Sequence, residues 1–195
     1  AGQFDPIMPG GLLGVLGGGQ LGAMFAVAAR RMGYRVAVIT DTQECPAARH
    51  ADRLHVGSYD DPTFLSKAAE GLSVVTFEFE NVPAAAGDAL KAAVPVRPHP
   101  EVLFTTQSRE REKAFLAEQD IPCGRHMVVR TEEELRKAVK DIGLPAVLKT
   151  TAFGYDGKGQ RMLKEASSIH DAWVSLGELP CVLEEWIDFQ CELSV

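Results

Sequence analysis

The chain has 195 residues, 46% of them hydrophobic, which is enough for one large domain or two small ones with a buried core. Its 20 basic and 27 acidic residues leave a formal charge of -7, a poor balance for gripping a phosphodiester backbone, so no nucleic acid partner is expected. No apolar run approaches the roughly 20 residues of a membrane span and no signal-peptide pattern opens the chain, so no membrane partner is expected either.

The segment "AGQFDPIMPGG" is left out of the fold reading. Leu12 to Leu16 is nearly all apolar and predicts a strand buried on both faces. From Leu21 to Met32, apolar residues at 21, 24, 25, 28 and 32 form one helical stripe, ended by Gly33 after Arg30 and Arg31. Val36 to Ile39 is a second buried strand and "RLHVG" a short third. Asp60 or Asp61 caps the next helix, with Pro62 in its first turn. "SVVTFEF" is another strand, and Pro83 starts a helix ending near Lys91. Alternating strands and helices joined by short loops predict a parallel sheet covered on both faces. The prolines of "AAVPVRPHPEVL" then read as a break that closes a first domain.

"QSREREKAFLAEQDIP" follows as a helix stopped before Pro122. After it the pattern changes. "RHMVV" is a strand, and Thr131 with Glu134 forms a capping box for a helix to Lys140. "LPAVLKT" is a strand with Lys149 near its end, and the glycine-rich "FGYDGKG" joins it to the alternating "QRMLK". A helix around Ser168 to Leu176, a strand "CVLEEWI" and one more strand at "CELSV" complete the reading.

Three segments carry chemistry. Gly17, Gly19 and Gly22 in "LGVLGGGQLG" have the spacing of a dinucleotide-binding turn, and Asp41 stands near the position of a ribose-binding acid. The turn fits a phosphate or nucleotide site, or close strand–helix packing, and does not by itself select a dinucleotide. Gln20 lies within it. Gly154 to Gly159 cannot be a Walker loop, because Gln160 stands where lysine is required. It reads either as a flap whose amides cover phosphates, with Lys149 adding charge, or as an ordinary hairpin. "FEFEN" puts Glu78 or Glu80 at the sheet's carboxyl edge, where open α/β sheets bind ligands, or in solvent. "VLEEWIDFQCE" taken alone reads as an exposed edge strand.

The remaining polar groups add little. Cys45, Cys123, Cys181 and Cys191 form no C-x-x-C pair and fit a reducing cytoplasm. The histidines lack metal-ligand spacing, so the metal-site expectation is none.

Together, "GVLGGGQLGAMFAVAA", "VVTFEFENVP", "QSREREK", "LPAVLKTTAFGYDGKGQ" and "VLEEWIDFQCELSV" resemble the ATP-grasp superfamily and, within it, the 5-(carboxyamino)imidazole ribonucleotide synthetase family. The resemblance runs through essentially the whole chain in the family's order. It implies an α/β fold: a parallel, Rossmann-like pre-ATP-grasp domain over residues 1–107, which takes the substrate, and the first part of an ATP-grasp domain over residues 108–195. It implies a ligase that carboxylates 5-aminoimidazole ribonucleotide with bicarbonate, using ATP and Mg, as a homodimer. Arg109 and Lys149 would contact ATP phosphates, with Gly154, Tyr155, Asp156, Gly157, Lys158, Gly159 and Gln160 as the flap. Glu184, Glu185, Trp186 and Ile187 would line adenine, largely through backbone groups, and Glu192 would hold the ribose. Gln20, Leu21, Glu78, Tyr155 and Lys158 would meet the ribonucleotide, and Asp156 would sit beside the amine that is carboxylated.

Two departures qualify the carry-over. Lys158 stands where the family commonly has arginine, which replaces a planar fork by a point charge. Family members also continue past Val195 with acidic metal ligands and a further basic contact, so this chain alone is expected not to turn over. Other classes compatible with parts of the sequence are another ATP-grasp ligase, a dinucleotide-dependent oxidoreductase and a non-catalytic nucleotide-binding regulator.

Overall fold

The computed structural model describes residues 5–152, 159–191 and 193. The chain divides into two compact units, Ala1–Phe104 and Thr105–Val195. No helix of the described residues is long and apolar enough to cross a membrane.

The first unit contains strands β1 (Leu12–Leu16), β2 (Arg35–Thr40), β3 (Arg53–Val56) and β4 (Val74–Phe77). Between and after them come helices α1 (Gln20–Arg31), α2 (Pro62–Ala68), α3 (Ala84–Lys91) and α4 (Pro100–Thr106), whose last two residues pass the unit boundary. The strands pair in parallel in the order β3-β2-β1-β4, so the order reverses between β1 and β4. Both faces of this sheet are buried, as the unbroken apolar runs predict. Val15, Val36 and Val38 pack with Ala26 and Ala29 of α1 on one face. Leu16, Ile39 and Val75 pack with Leu65 of α2 and Leu90 of α3 on the other.

Two local readings change. The expected apolar stripe of α1 is not its buried one: Gly22, Ala26 and Ala29 face the sheet, while Leu21, Met24 and Met32 are 60–63% exposed. Bulk is already supplied by the valines beneath, so small residues let the helix axis come close. The proline-rich segment is also not a plain break. Val96 pairs with Val75 as an isolated parallel bridge, with the Val75 amide donating to the Pro95 carbonyl at 2.9 Å and the Arg97 amide to the Val75 carbonyl at 2.8 Å. Prolines suit this edge position, where their missing N–H costs no ladder bond.

Asp61 rather than Asp60 caps α2, accepting from the amides of Thr63 and Phe64 at 2.9 and 3.3 Å. The Nε2 of His55 is buried without a hydrogen-bond partner among the described residues. Burial, then the charges of Arg53 and Lys67, push the His55 imidazole below its usual range. The unfolded chain therefore binds this proton at a higher pH than the folded one. Stability contributed by neutral His55 is complete above about pH 6.5 and falls as pH drops below that value. We expect the melting temperature to decline between pH 7.5 and pH 5.5 by a smaller amount in His55→Gln than in the unmodified protein. Equal declines in the two would contradict this.

The second unit holds helices α5 (Arg109–Glu118), α6 (Glu132–Ile142) and α7 (Ile169–Ser175). Its strands are β5 (His126–Val129), β6 (Ala146–Thr150), β7 (Gln160–Leu163) and β8 (Cys181–Glu185). They form an antiparallel sheet in the order β5-β8-β6-β7. β8 is thus a central strand and not the exposed edge that its acids suggest. Alternation along β6 and β8 sends Ala146, Leu148, Cys181 and Leu183 into a core with Leu135, Leu163 and Trp173. Val147, Lys149 and Glu184 take the other face. Ser108 and Thr131 cap α5 and α6 through the amides of Arg111 and Glu134. The capping box is displaced by one residue, because Glu134 accepts from the Arg130 amide at 2.6 Å.

Candidate active site

In the first unit, the carboxyl ends of β1, β2 and β4 open onto a cavity of about 510 Å³ lined by Gly18, Gly19, Thr40, Asp41, Cys45, Tyr59, Glu78 and neighbouring residues. It lies where the strand order reverses, the place at which open α/β sheets take ligands, and its size suits a small organic molecule. The Glu78 amide donates to the Leu16 carbonyl at 3.0 Å, which fixes this residue opposite the glycine turn. A Cβ at Gly17, whose φ is +115°, would lie 2.9 Å from the Cβ of Glu78, and one at Gly19 would lie 3.2 Å from its Cδ. The glycines are therefore required by the approach of a side chain as well as by the turn. At Gly18 a Cβ would meet Cys45 Sγ at 2.5 Å.

Gln20 and Leu21 form the first turn of α1, which begins at Gly19 without a side-chain cap. The leading amides of such a helix have no intrahelical partner. Their side chains point outward and do not line the cavity that contains Glu78. Glu80 lies outside that lining as well. Tyr59 bonds to Thr40 and to the Asp41 main chain, and its burial, above all, pushes the phenol above its usual range. Tyr59 and Cys45 were not legible as site residues. They reach the cavity from loops after β3 and β2, and nothing in their spacing marks them.

In the second unit, Lys149 on β6 and Glu184 on β8 lie side by side on the open face of the sheet. Their Nζ and Oε2 are 2.7 Å apart, and Lys113 of α5 brings its Nζ to 3.1 Å from the other oxygen of Glu184. Burial pulls the Glu184 carboxyl upward, but Lys149 and then Lys113 outweigh it and hold the group below the usual carboxylate range. Two ammonium groups share one carboxylate, so the cluster carries an excess positive charge. Arg109 stands at the same end of β6, its Nη1 donating to the Thr150 carbonyl at 2.7 Å and its amide to the Thr151 carbonyl at 2.9 Å. Lys113 is the residue that sequence reasoning missed. Its signal is its place four residues after Arg109, on the same face of one helix.

Glu185 points to the opposite side. Its two oxygens accept from the Arg125 amide at 2.7 Å and from Arg125 Nε at 2.8 Å. These bonds, the amide first, hold the Glu185 carboxyl below its usual range. The Glu185 amide in turn donates to the Arg125 carbonyl at 2.9 Å. Trp186 and Ile187 follow the end of β8 and are 44% and 53% exposed. Gln160 begins β7 and pairs with Lys149, and just before it the Gly159 carbonyl accepts from the Thr150 amide at 2.9 Å. Gly154, Tyr155, Asp156, Gly157, Lys158 and Glu192 lie outside the described residues.

Comparison with known proteins agrees with this division. Residues 11–107 match the ribonucleotide synthetase preATP-grasp domain, and residues 114–195 match the ATP-grasp domain. The N5-carboxyaminoimidazole ribonucleotide synthase of Bacillus subtilis (strain 168) is 41% identical over 189 residues, 97% of this chain and 50% of the relative. That of Brucella melitensis biotype 1 is 40% identical over 97% of this chain and 53% of the relative. The chain thus spans about half the length of the curated relatives it matches. Among solved structures, an ADP complex of an N5-carboxyaminoimidazole ribonucleotide synthetase superposes with a TM-score of 0.89 at 38% identity, covering 94% of this chain and 49% of the other. The Aspergillus clavatus synthase in complex with ADP and 5-aminoimidazole ribonucleotide gives 0.81 at 29% identity, covering 92% and 47%.

Proposed function

This chain belongs to the N5-carboxyaminoimidazole ribonucleotide synthetase family of ATP-grasp proteins, and we propose from that premise that its protein carboxylates 5-aminoimidazole ribonucleotide. ATP and bicarbonate are consumed, and 5-(carboxyamino)imidazole ribonucleotide, ADP and phosphate are formed, as a step of de novo purine synthesis. ATP phosphorylates bicarbonate to carboxyphosphate. The substrate's amine then attacks the carboxyphosphate, or the carbon dioxide it yields. The observation that carries the reading is the cationic cluster at the end of β6, where Lys149, Lys113 and Arg109 gather on one strand end.

Roles follow from chemistry and placement. Residues 1–107 take the ribonucleotide through Gln20, Leu21 and Glu78, joined by Tyr155 and Lys158. Residues 108–195 take ATP. Lys149 and Arg109 stabilise charge on the transferring phosphoryl group, and Gly154 to Gln160 cover it and keep water from the labile carboxyphosphate. The backbone of Glu184, Glu185, Trp186 and Ile187 receives adenine, and Glu192 the ribose. Asp156 accepts or steers the amine proton. Among the described residues no group of three acidic, histidine or cysteine side chains could hold a metal. Magnesium would enter with ATP and offset charge on its phosphates. We further place the protein in the cytoplasm as a homodimer.

The glycine turn also fits a dinucleotide, so the discriminating experiment is calorimetric titration of the whole protein with ATP–magnesium and with NAD(H). We expect binding of ATP alone. Micromolar binding of NAD(H) without binding of ATP would contradict the synthetase reading and restore a redox one.

A further inference from the structure

The two lysines that flank Glu184 are not equivalent. The side chain of Lys113 is 14% exposed and that of Lys149 is 27% exposed, against 18% for the carboxylate between them. Lys149 stands one residue before the end of β6, and its side chain is the more open of the two to a ligand. Lys113 comes from α5, whose seat on the sheet is fixed by other groups. Arg109 bonds to the carbonyls of Thr150 and Thr151, and Glu110 accepts from Arg130 Nη2 at 2.6 Å just beyond β5. Among the described residues, the Lys113 ammonium has one ion pair, and it is with Glu184. A carboxylate this enclosed binds a sole cation firmly, because parting the two strands a charge out of water. Lys113 changes that balance. With its Nζ 3.1 Å from one oxygen, Glu184 stays paired when Lys149 leaves the other, so phosphate oxygens can compete for Lys149.

We propose that Lys113 is a positioning residue for the nucleotide: by keeping Glu184 paired, it lets the Lys149 ammonium turn toward the phosphates. The proposal rests on the ATP reading above and adds to it a residue that itself touches no phosphate. Glu184 then serves as the resting partner of Lys149, and Lys113 sets how easily that pair opens.

The test is calorimetric titration of the whole protein and its variants with ADP. Lys113→Met leaves Lys149 as the sole cation on Glu184, and ADP should bind on the order of tenfold more weakly. Should that variant not fold, Lys113→Gln, which removes the charge and keeps a donor, carries the same expectation. Lys113→Arg keeps a cation on Glu184 and should bind ADP within about threefold of the unmodified protein. The deciding variant adds Glu184→Gln to Lys113→Met. It removes the carboxylate that holds Lys149, so ADP affinity should return to within about threefold of the unmodified value. A residue that only supported the strand, or that bound phosphate directly, would give no such recovery. A double variant that folds and stays as weak as Lys113→Met would therefore overturn the proposal. So would unchanged ADP binding in a folded Lys113→Met or Lys113→Gln. If the unmodified protein binds no ADP, the ATP reading fails and the proposal falls with it, whereas a contrary result in the variants alone leaves that reading standing.

Discussion

Lys149→Met is expected to lower kcat/KM for ATP by on the order of a hundredfold, while the melting temperature falls by only a few degrees. The two effects separate because Lys149 has two tasks. Its ammonium has three donors, one of which meets Glu184 at 2.7 Å, leaving others for a phosphate oxygen. On the proposed function, removing it deletes a charge that stabilises the transferring phosphoryl group, a loss comparable to that of one oxyanion donor. The structural loss is smaller. Lys113 stays 3.1 Å from Glu184, so the carboxylate is not left without a cation, and the cost should be about 1–2 kcal/mol. Steady-state kinetics with varied ATP, beside thermal unfolding, separate these outcomes. Unchanged kinetics with a strongly lowered melting temperature would make the Lys149–Glu184 pair a structural strut.

Asp156→Asn is expected to keep ATP affinity within about twofold and to cut carboxylation by roughly a hundredfold or more, the span of a lost general base. Both ends of its segment are anchored beside Lys149, through the Lys149–Gln160 pairing and the bond from Thr150 to the Gly159 carbonyl. On the proposed function Asp156 serves the amine, and asparagine keeps its shape while removing the basic oxygen. Near-normal turnover would reduce Asp156 to a residue that shapes its loop.

The legible parts of this molecule are those with local causes. β1, α1 and β2 follow from apolar runs, from Arg30 and Arg31 near the helix end, and from Gly33 at a φ of +87°. Asp61 and Thr131 announce their helices because a capping side chain acts within three residues. Glu78 was visible as a carboxyl-edge acid, since strand ends in such sheets lie on one rim. Its cover over the turn was not, because that depends on the register of β4 against β1. Glu184 was misleading for a similar reason. An acidic pair at the end of a strand suggests solvent, but β8 lies between β5 and β6, and its acids are met by Lys113, Lys149 and Arg125 from three other places in the chain. α1 misled differently, because Leu21 and Met24 face outward while Gly22, Ala26 and Ala29 pack. Periodicity reports a stripe but not which stripe a close-packed sheet will accept.

The most direct measurement is phosphate release from ATP–magnesium by the whole protein, with 5-aminoimidazole ribonucleotide and labelled bicarbonate added separately and together. The account predicts fast release only when both are present, with one acid-labile carboxylate fixed per phosphate. Release indifferent to the ribonucleotide, or ribonucleotide-dependent release without fixed carbon, would contradict it.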